Sequence, residues 1–111
     1  MTQPTLSSAL QRVAERFATR LEGRLDQLEA EAGALSARSA PEAFVNLERA
    51  LHDIAGTAPT LGYSALGQAA RNAEHHVGLV RLEDAPHSAE RLALISVSVQ
   101  ALRESVGQAT N

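Results

Sequence analysis

The chain carries four histidines, no cysteine and no lysine; its ten basic residues are all arginine. One histidine stands apart because of the glycines downstream of it. In the stretch "LHDIAGTAPTLGY", residues 51–63, Gly56 comes four residues after His52 and Gly62 six residues after that. Glycine in a helix interior costs about 0.5–1 kcal/mol relative to alanine. At a spacing of four, Gly56 shares a helix face with His52 and lies one turn away. It leaves bare backbone where a partner would approach the ring. An imidazole with an ordinary pKa, about 6.5, is largely neutral at cellular pH and can act as a nucleophile. One ring nitrogen then attacks while the other keeps its proton.

The stretch "AEHHV" raises a second chemistry, metal binding, through Glu74, His75 and His76. Adjacent residues on a helix point about 100° apart, so His75 and His76 do not readily share one ion. Two-iron bundles need a Glu-x-x-His on each of two helices. The chain offers Glu48 and His52 at a spacing of four and no second copy. No metal site is expected. His76 is expected at a boundary, partly buried, and His87 in a loop or at a helix start. A glycine-rich phosphate loop, a nucleophile–base–orienter set and a second carboxylate converging on a cleft are all missing. The chain is therefore not expected to be an enzyme in its own right.

The elements that must position these residues read as four amphipathic helices. In the first, Leu6, Leu10, Val13, Phe17, Leu21, Leu25 and Leu28 recur in steps of three and four, one face of a helix over residues 5–33. Thr5, Ser7 or Ser8 can cap its start, Gly33 can end it, and Gly23 falls on its polar side. A second helix, residues 41–61, has Ser39 as a capping hydroxyl, Pro41 in its first turn and Glu42 near its positive end. Its inner face is Phe44, Leu47, Leu51, Ile54, Ala58 and Leu61. Pro59 crowds the carbonyl of Ala55, which predicts a bend or a tightened last turn, and Gly62 ends the helix. A third helix, residues 64–80, can be capped by Ser64 and turns Leu66, Ala69, Ala70, Ala73, Val77 and Val80 inward. Its alanines allow close helix approach. Ser88 can cap a fourth, residues 88–106, with Leu92, Ile95, Val99, Leu102 and Val106 inward; the tail "GQATN" should fray. Short connections between such helices predict an all-α fold, an antiparallel up-down four-helix bundle forming a single domain over residues 1–111.

Composition narrows the class. Hydrophobic residues at 44% can fill one core, and with only Phe17, Phe44 and Tyr63 aromatic that core is aliphatic. A net charge of -3 argues against nucleic acid, which needs a concentrated basic face. No apolar run approaches a signal peptide or the roughly 20 residues of a membrane span. A cytoplasmic protein with no membrane contact is expected. Met1 and a complete set of helices suggest a chain that stands alone. The first helix is long enough to pair with another, but it shows no second apolar face, so a monomer is expected.

The motif "HDIAGTAPTLG" resembles the signature of histidine-containing phosphotransfer (HPt) domains. That signature runs His, any residue, an aliphatic, often Lys, Gly, Ser or Thr, a small residue, two variable positions, an apolar one and Gly. Here it reads His52, Asp53, Ile54, Ala55, Gly56, Thr57, Ala58, Pro59, Thr60, Leu61, Gly62. The likeness extends through the long first helix, "YSALGQAARNAE" and the closing helix, nearly the whole chain. It implies a phosphoryl carrier rather than an enzyme. His52 would accept a phosphoryl group from a receiver-domain phospho-aspartate or from a sensor histidine kinase and pass it on. The carrier itself would hold no cofactor, the Mg²⁺ and most of the catalytic groups residing on the receiver. In the chemotaxis-kinase members a Glu stands 22 residues after the histidine, which here is Glu74. A carboxylate there would bond one ring N–H, set the tautomer and orient the imidazole.

One departure matters. The position often held by Lys is Ala55. Arg71, one turn before Glu74 on an antiparallel helix, would lie near the level of Ala55 and supply the missing charge, or else Arg49 would, one turn before His52. The docking surface implied for a receiver comprises Val45, Glu48, Arg49, Ala55, Gly56, Arg71, His75 and Gly78. Small and apolar residues would sit near the histidine and charges at the rim. Because of Ala55 a second reading stays open: an HPt-like module that docks on receivers or kinases without carrying phosphate.

Overall fold

The computed structural model of the chain describes residues 6–107, with the side chains of Leu6 and Ser7 left out. Capping by Thr5 or Ser7, the inward placement of Leu6 and the fraying of residues 108–111 lie outside the described residues. The elements are α1 (Leu6–Gly33), α2 (Pro41–Thr57), a 3-10 turn (Pro59–Leu61), α3 (Ser64–Arg81) and α4 (Ala89–Val106), with no strand among the described residues. Each helix packs on its chain neighbour, and α4 returns to α1, which closes the four into a bundle.

The core follows the predicted faces. Leu47, Leu51, Ile54, Leu66, Val77, Val80, Ile95 and Leu102 are fully buried, with Leu21, Leu25 and Leu28 contributed by α1. Burying one such side chain stabilises the fold by about 1.5–3 kcal/mol relative to leaving it exposed. At the other end of α1 the face runs on but the core does not: Leu10 is 42% and Val13 39% exposed. The reason is length. α1 has 28 residues, about 42 Å at 1.5 Å per residue, whereas α2 has 17, about 26 Å. The bundle closes at Phe17, whose ring lies 5.3 Å from that of Tyr63. The turns of α1 before Phe17 run past that closure.

Two helix starts differ from expectation. Ser39 does not cap α2. The cap residue is Ala40, and Ser39 Oγ instead accepts from Ser36 N–H at 2.7 Å, closing the preceding turn. Pro41 begins the helix, so one of the usual orphan donors is missing anyway. Ser64 does not cap α3 either; it is the first helical residue, Tyr63 precedes it, and no side chain caps that end. Ser88 caps α4 as expected, accepting from Arg91 N–H at 3.1 Å.

The elbow between α2 and α3 sets how the two helices that carry His52 and Glu74 meet. α2 stops at Thr57, short of the predicted residue 61, and Pro59 opens a tightened 3-10 turn instead. Gly62 then takes a left-handed conformation, φ 94°, which glycine adopts without strain. Tyr63 N–H donates to Ala58 C=O at 2.9 Å and locks the turn. Gly67 faces the proline ring so closely that a Cβ there would lie 2.5 Å from Pro59 Cγ.

The opposite flank is held by charge. Arg103 of α4 donates to Glu29 and Asp26 of α1, at 3.0 Å and 2.6 Å, and also pairs with Glu22. Its hydrogen bonds to Glu29, Asp26 and Glu22 raise the guanidinium pKa above the ordinary value. His87 lies in the loop before α4, as expected, but its ring is buried against Phe44 at 4.9 Å.

Candidate functional site

His52 sits in the fourth turn of α2, on the face next to the buried Leu51 and Ile54. The 100° step from an inward leucine carries it out of the core, and its side chain is 73% exposed. Across the α2–α3 seam Glu74 is only 25% exposed, and its Oε2 lies 2.8 Å from His52 Nδ1. An ionised carboxylate only accepts, so in the neutral ring the proton sits on Nδ1 and the lone pair on Nε2. The contact fixes the plane of the ring and leaves Nε2 as the free nitrogen. Glu74 thus lies beside the ring, where the family resemblance implied a carboxylate.

Val45, Glu48, Arg49, His52 and Glu74 line one shallow depression. A second, beside it, is lined by Glu48, Arg71, Glu74, His75, Gly78, Leu79, Arg81 and Leu82. Glu48 and Glu74 form the shared wall. Arg49 therefore stands with the histidine, and Arg71 stands next door, beyond Glu74. No ion pair holds either arginine among the described residues. Gly56 is exposed, and a Cβ added to it would meet nothing within 4 Å. No neighbour among the described residues requires that glycine; its bareness faces outward.

Ala55 corrects the expected surface. It is 4% exposed, a core residue beneath the seam rather than a docking residue beside the ring. It lies one 100° step on from the fully buried Ile54, and α3 approaches closely there through Gly67, whose Cβ would come 3.6 Å from Ala55 C=O. Gly78 also has a more specific environment than docking: a Cβ there would lie 3.0 Å from Glu48 Oε2. Glu48 is held in that berth by Arg81, whose Nε donates to Oε1 at 2.8 Å. Leu79, Arg81 and Leu82 escaped the sequence reading. The spacing of Arg71, His75 and Gly78 extends by one more turn to positions 81 and 82, which was the available signal.

His75 is exposed and His76 half-buried, at a boundary as expected, with their rings 6.0 Å apart. No group of three or more His, Asp or Glu among the described residues could hold a metal ion. No helix among them is long and apolar enough to cross a membrane. A family model described as "Hpt domain" matches residues 12–109. Comparison with curated proteins and with solved structures returned no match.

Proposed function

The chain belongs to the Hpt domain family, whose members are phosphocarrier modules of two-component signalling, and on that premise we propose that His52 is the residue that carries the phosphoryl group. The observation that supports this most is the 2.8 Å contact between His52 Nδ1 and Glu74 Oε2 on a ring that is otherwise open to solvent. With Nδ1 protonated, the Nε2 lone pair attacks the phosphorus of an aspartyl phosphate on a receiver domain. The N–P bond forms as the P–O bond to the aspartate breaks, and the aspartate leaves as a carboxylate. The ring keeps its Nδ1 proton and becomes cationic, and Glu74 balances that charge. Transfer to a second receiver is the same sequence reversed. The Mg²⁺ belongs to the receiver, and this chain contributes no cofactor.

Arg49 is the better candidate for the charge that Ala55 does not provide, because it lines the histidine's depression and Arg71 lines the next. A receiver would dock over Val45, His52 and the bare Gly56, with Arg49, Arg71 and His75 at the rim; a histidine kinase is the alternative donor. We expect the chain to act as a cytoplasmic monomer. The buried methyl of Ala55 favours one second reading, a docking module that carries no phosphate.

The test is acid-labile, base-stable label from a panel of phosphorylated receivers, on the wild type and on His52→Gln. Label that vanishes in the variant supports the carrier. Receiver binding without label refutes it and leaves the docking module.

A further inference from the structure

Glu48 is a carboxylate in the wrong place for phosphoryl chemistry, and the structure holds it aside. It lies one turn before His52 on α2 and lines the same depression. Side chains four apart on a helix have Cβ atoms about 5–6 Å from each other, so a free Glu48 could reach the ring. There it would compete with Glu74 for the Nδ1 proton, or repel the incoming phosphoryl oxygens. Instead Arg81, in the last turn of α3, donates from Nε to Glu48 Oε1 at 2.8 Å. The other oxygen rests over Gly78, where a Cβ would come within 3.0 Å of it. The pair is partly withdrawn from water, with Glu48 25% and Arg81 34% exposed.

We propose that Arg81 is a positioning residue for phosphotransfer: together with the bare backbone of Gly78 it berths the Glu48 carboxylate away from His52. The berth also pairs the charge of Glu48, so among the described residues Arg49 is left as the unpaired positive charge that lines the histidine's depression. Arg81 touches neither the ring nor the phosphoryl group; it acts through Glu48. This rests on the carrier reading of His52.

The experiment measures single-turnover loading from a phosphorylated receiver, with thermal unfolding in parallel, for wild type, Arg81→Gln, Glu48→Gln, the double variant and Gly78→Ala. Arg81→Gln should load about two- to fivefold more slowly, the effect of one unit charge a few ångströms from the reaction in a largely aqueous setting. Glu48→Gln, which also alters the lining of the histidine's depression, is the background against which the double variant is compared. The double variant should match Glu48→Gln, because with no carboxylate to hold, Arg81 has nothing to do. Gly78→Ala, whose Cβ would lie 3.0 Å from Glu48 Oε2, asks that flexible carboxylate to give by only a few tenths of an ångström, so it should slow loading less than Arg81→Gln does. A purely structural role would lower the unfolding midpoint without that match in the double variant. Wild-type loading by Arg81→Gln overturns the proposal. So does a defect that persists in the double variant, which would put Arg81 in contact with the receiver. No label on the wild type itself would overturn the carrier reading and this proposal together, an outcome distinct from the other two.

Discussion

Gly67→Ala sets helix propensity against packing at the elbow that joins His52 to Glu74. Gly67 lies within α3 without a positive φ, so alanine should by propensity stabilise the helix by about 0.5–1 kcal/mol. Packing opposes this. The new Cβ would lie 2.5 Å from Pro59 Cγ and 2.8 Å from Cδ, whereas ordinary contact begins near 3.4 Å. The atoms it meets belong to a rigid ring in a tightened turn, not to the tip of a flexible side chain. Overpacking of this kind costs about 1–3 kcal/mol. Set against the propensity gain, the net loss should be about 1–2 kcal/mol, or a fall in Tm of about 4–8 °C for a chain of this size. Thermal and urea melts of Gly67→Ala, Pro59→Ala and the double variant test it. Pro59→Ala removes both of those ring carbons, so in that background alanine at 67 should keep its propensity gain of about 0.5–1 kcal/mol, giving a coupling equal to the overpacking cost, about 1–3 kcal/mol. A Gly67→Ala protein that melts at or above the wild type, or that loses as much stability without Pro59, would refute the reasoning. The elbow also holds α2 against α3. Phosphoryl loading in Gly67→Ala should therefore fall further than the unfolded fraction explains, as the 2.8 Å contact between His52 and Glu74 loosens.

Three further outcomes are expected. Glu74→Ala should slow loading of His52 about five- to tenfold while Glu74→Gln keeps part of the rate, since an amide oxygen still accepts from Nδ1–H; the size is a charge-assisted hydrogen bond discounted for an exposed ring, about 1 kcal/mol, and rapid-quench labelling reads it. Gly56→Ala should raise unfolding stability by about 0.5–1 kcal/mol, because its methyl group meets nothing among the described residues, and should lower the loading rate from a receiver; equal loading would show that nothing docks over that turn. Arg91→Gln should separate from wild type by pH. Its hydrogen bond to Glu83 holds that carboxyl below its usual value. A carboxyl depressed in the folded state stabilises above its unfolded pKa, and the contribution fades as pH falls through the folded one. The Tm gap between wild type and Arg91→Gln should thus be present near neutrality and close on the acid side of the ordinary carboxylate range.

Sequence alone determined what is local. The three-and-four spacing of apolar residues made four helices and chose their inner faces. Pro59 and Gly62 required a tightened turn between the second and third, and that is how α2 ends. The spacing of His52 and Gly56 marked one exposed face of α2, and the family resemblance pointed to Glu74 as the ring's partner; the two meet because one antiparallel hairpin of helices carries both. Tertiary structure decided what covers each face. Periodicity placed Leu10 and Val13 inward, but the helices beside α1 are too short to reach them. Ala55 shared a stripe with the exposed His52, yet a residue about 60° round the helix from His52 and about 100° from the buried Ile54 goes to whichever side its neighbour approaches, and α3 buries it. Ser39 and Ser64 had the chemistry of caps, but Ser39 Oγ closes the turn before α2 and Ser64 is already the first residue of α3. No spacing along the chain links Glu48 to Arg81, Gly67 to Pro59, or Arg103 to three acids of α1. Those contacts join residues on different helices, and they exist only once the crossing of the helices has been set by the packing of the core between them.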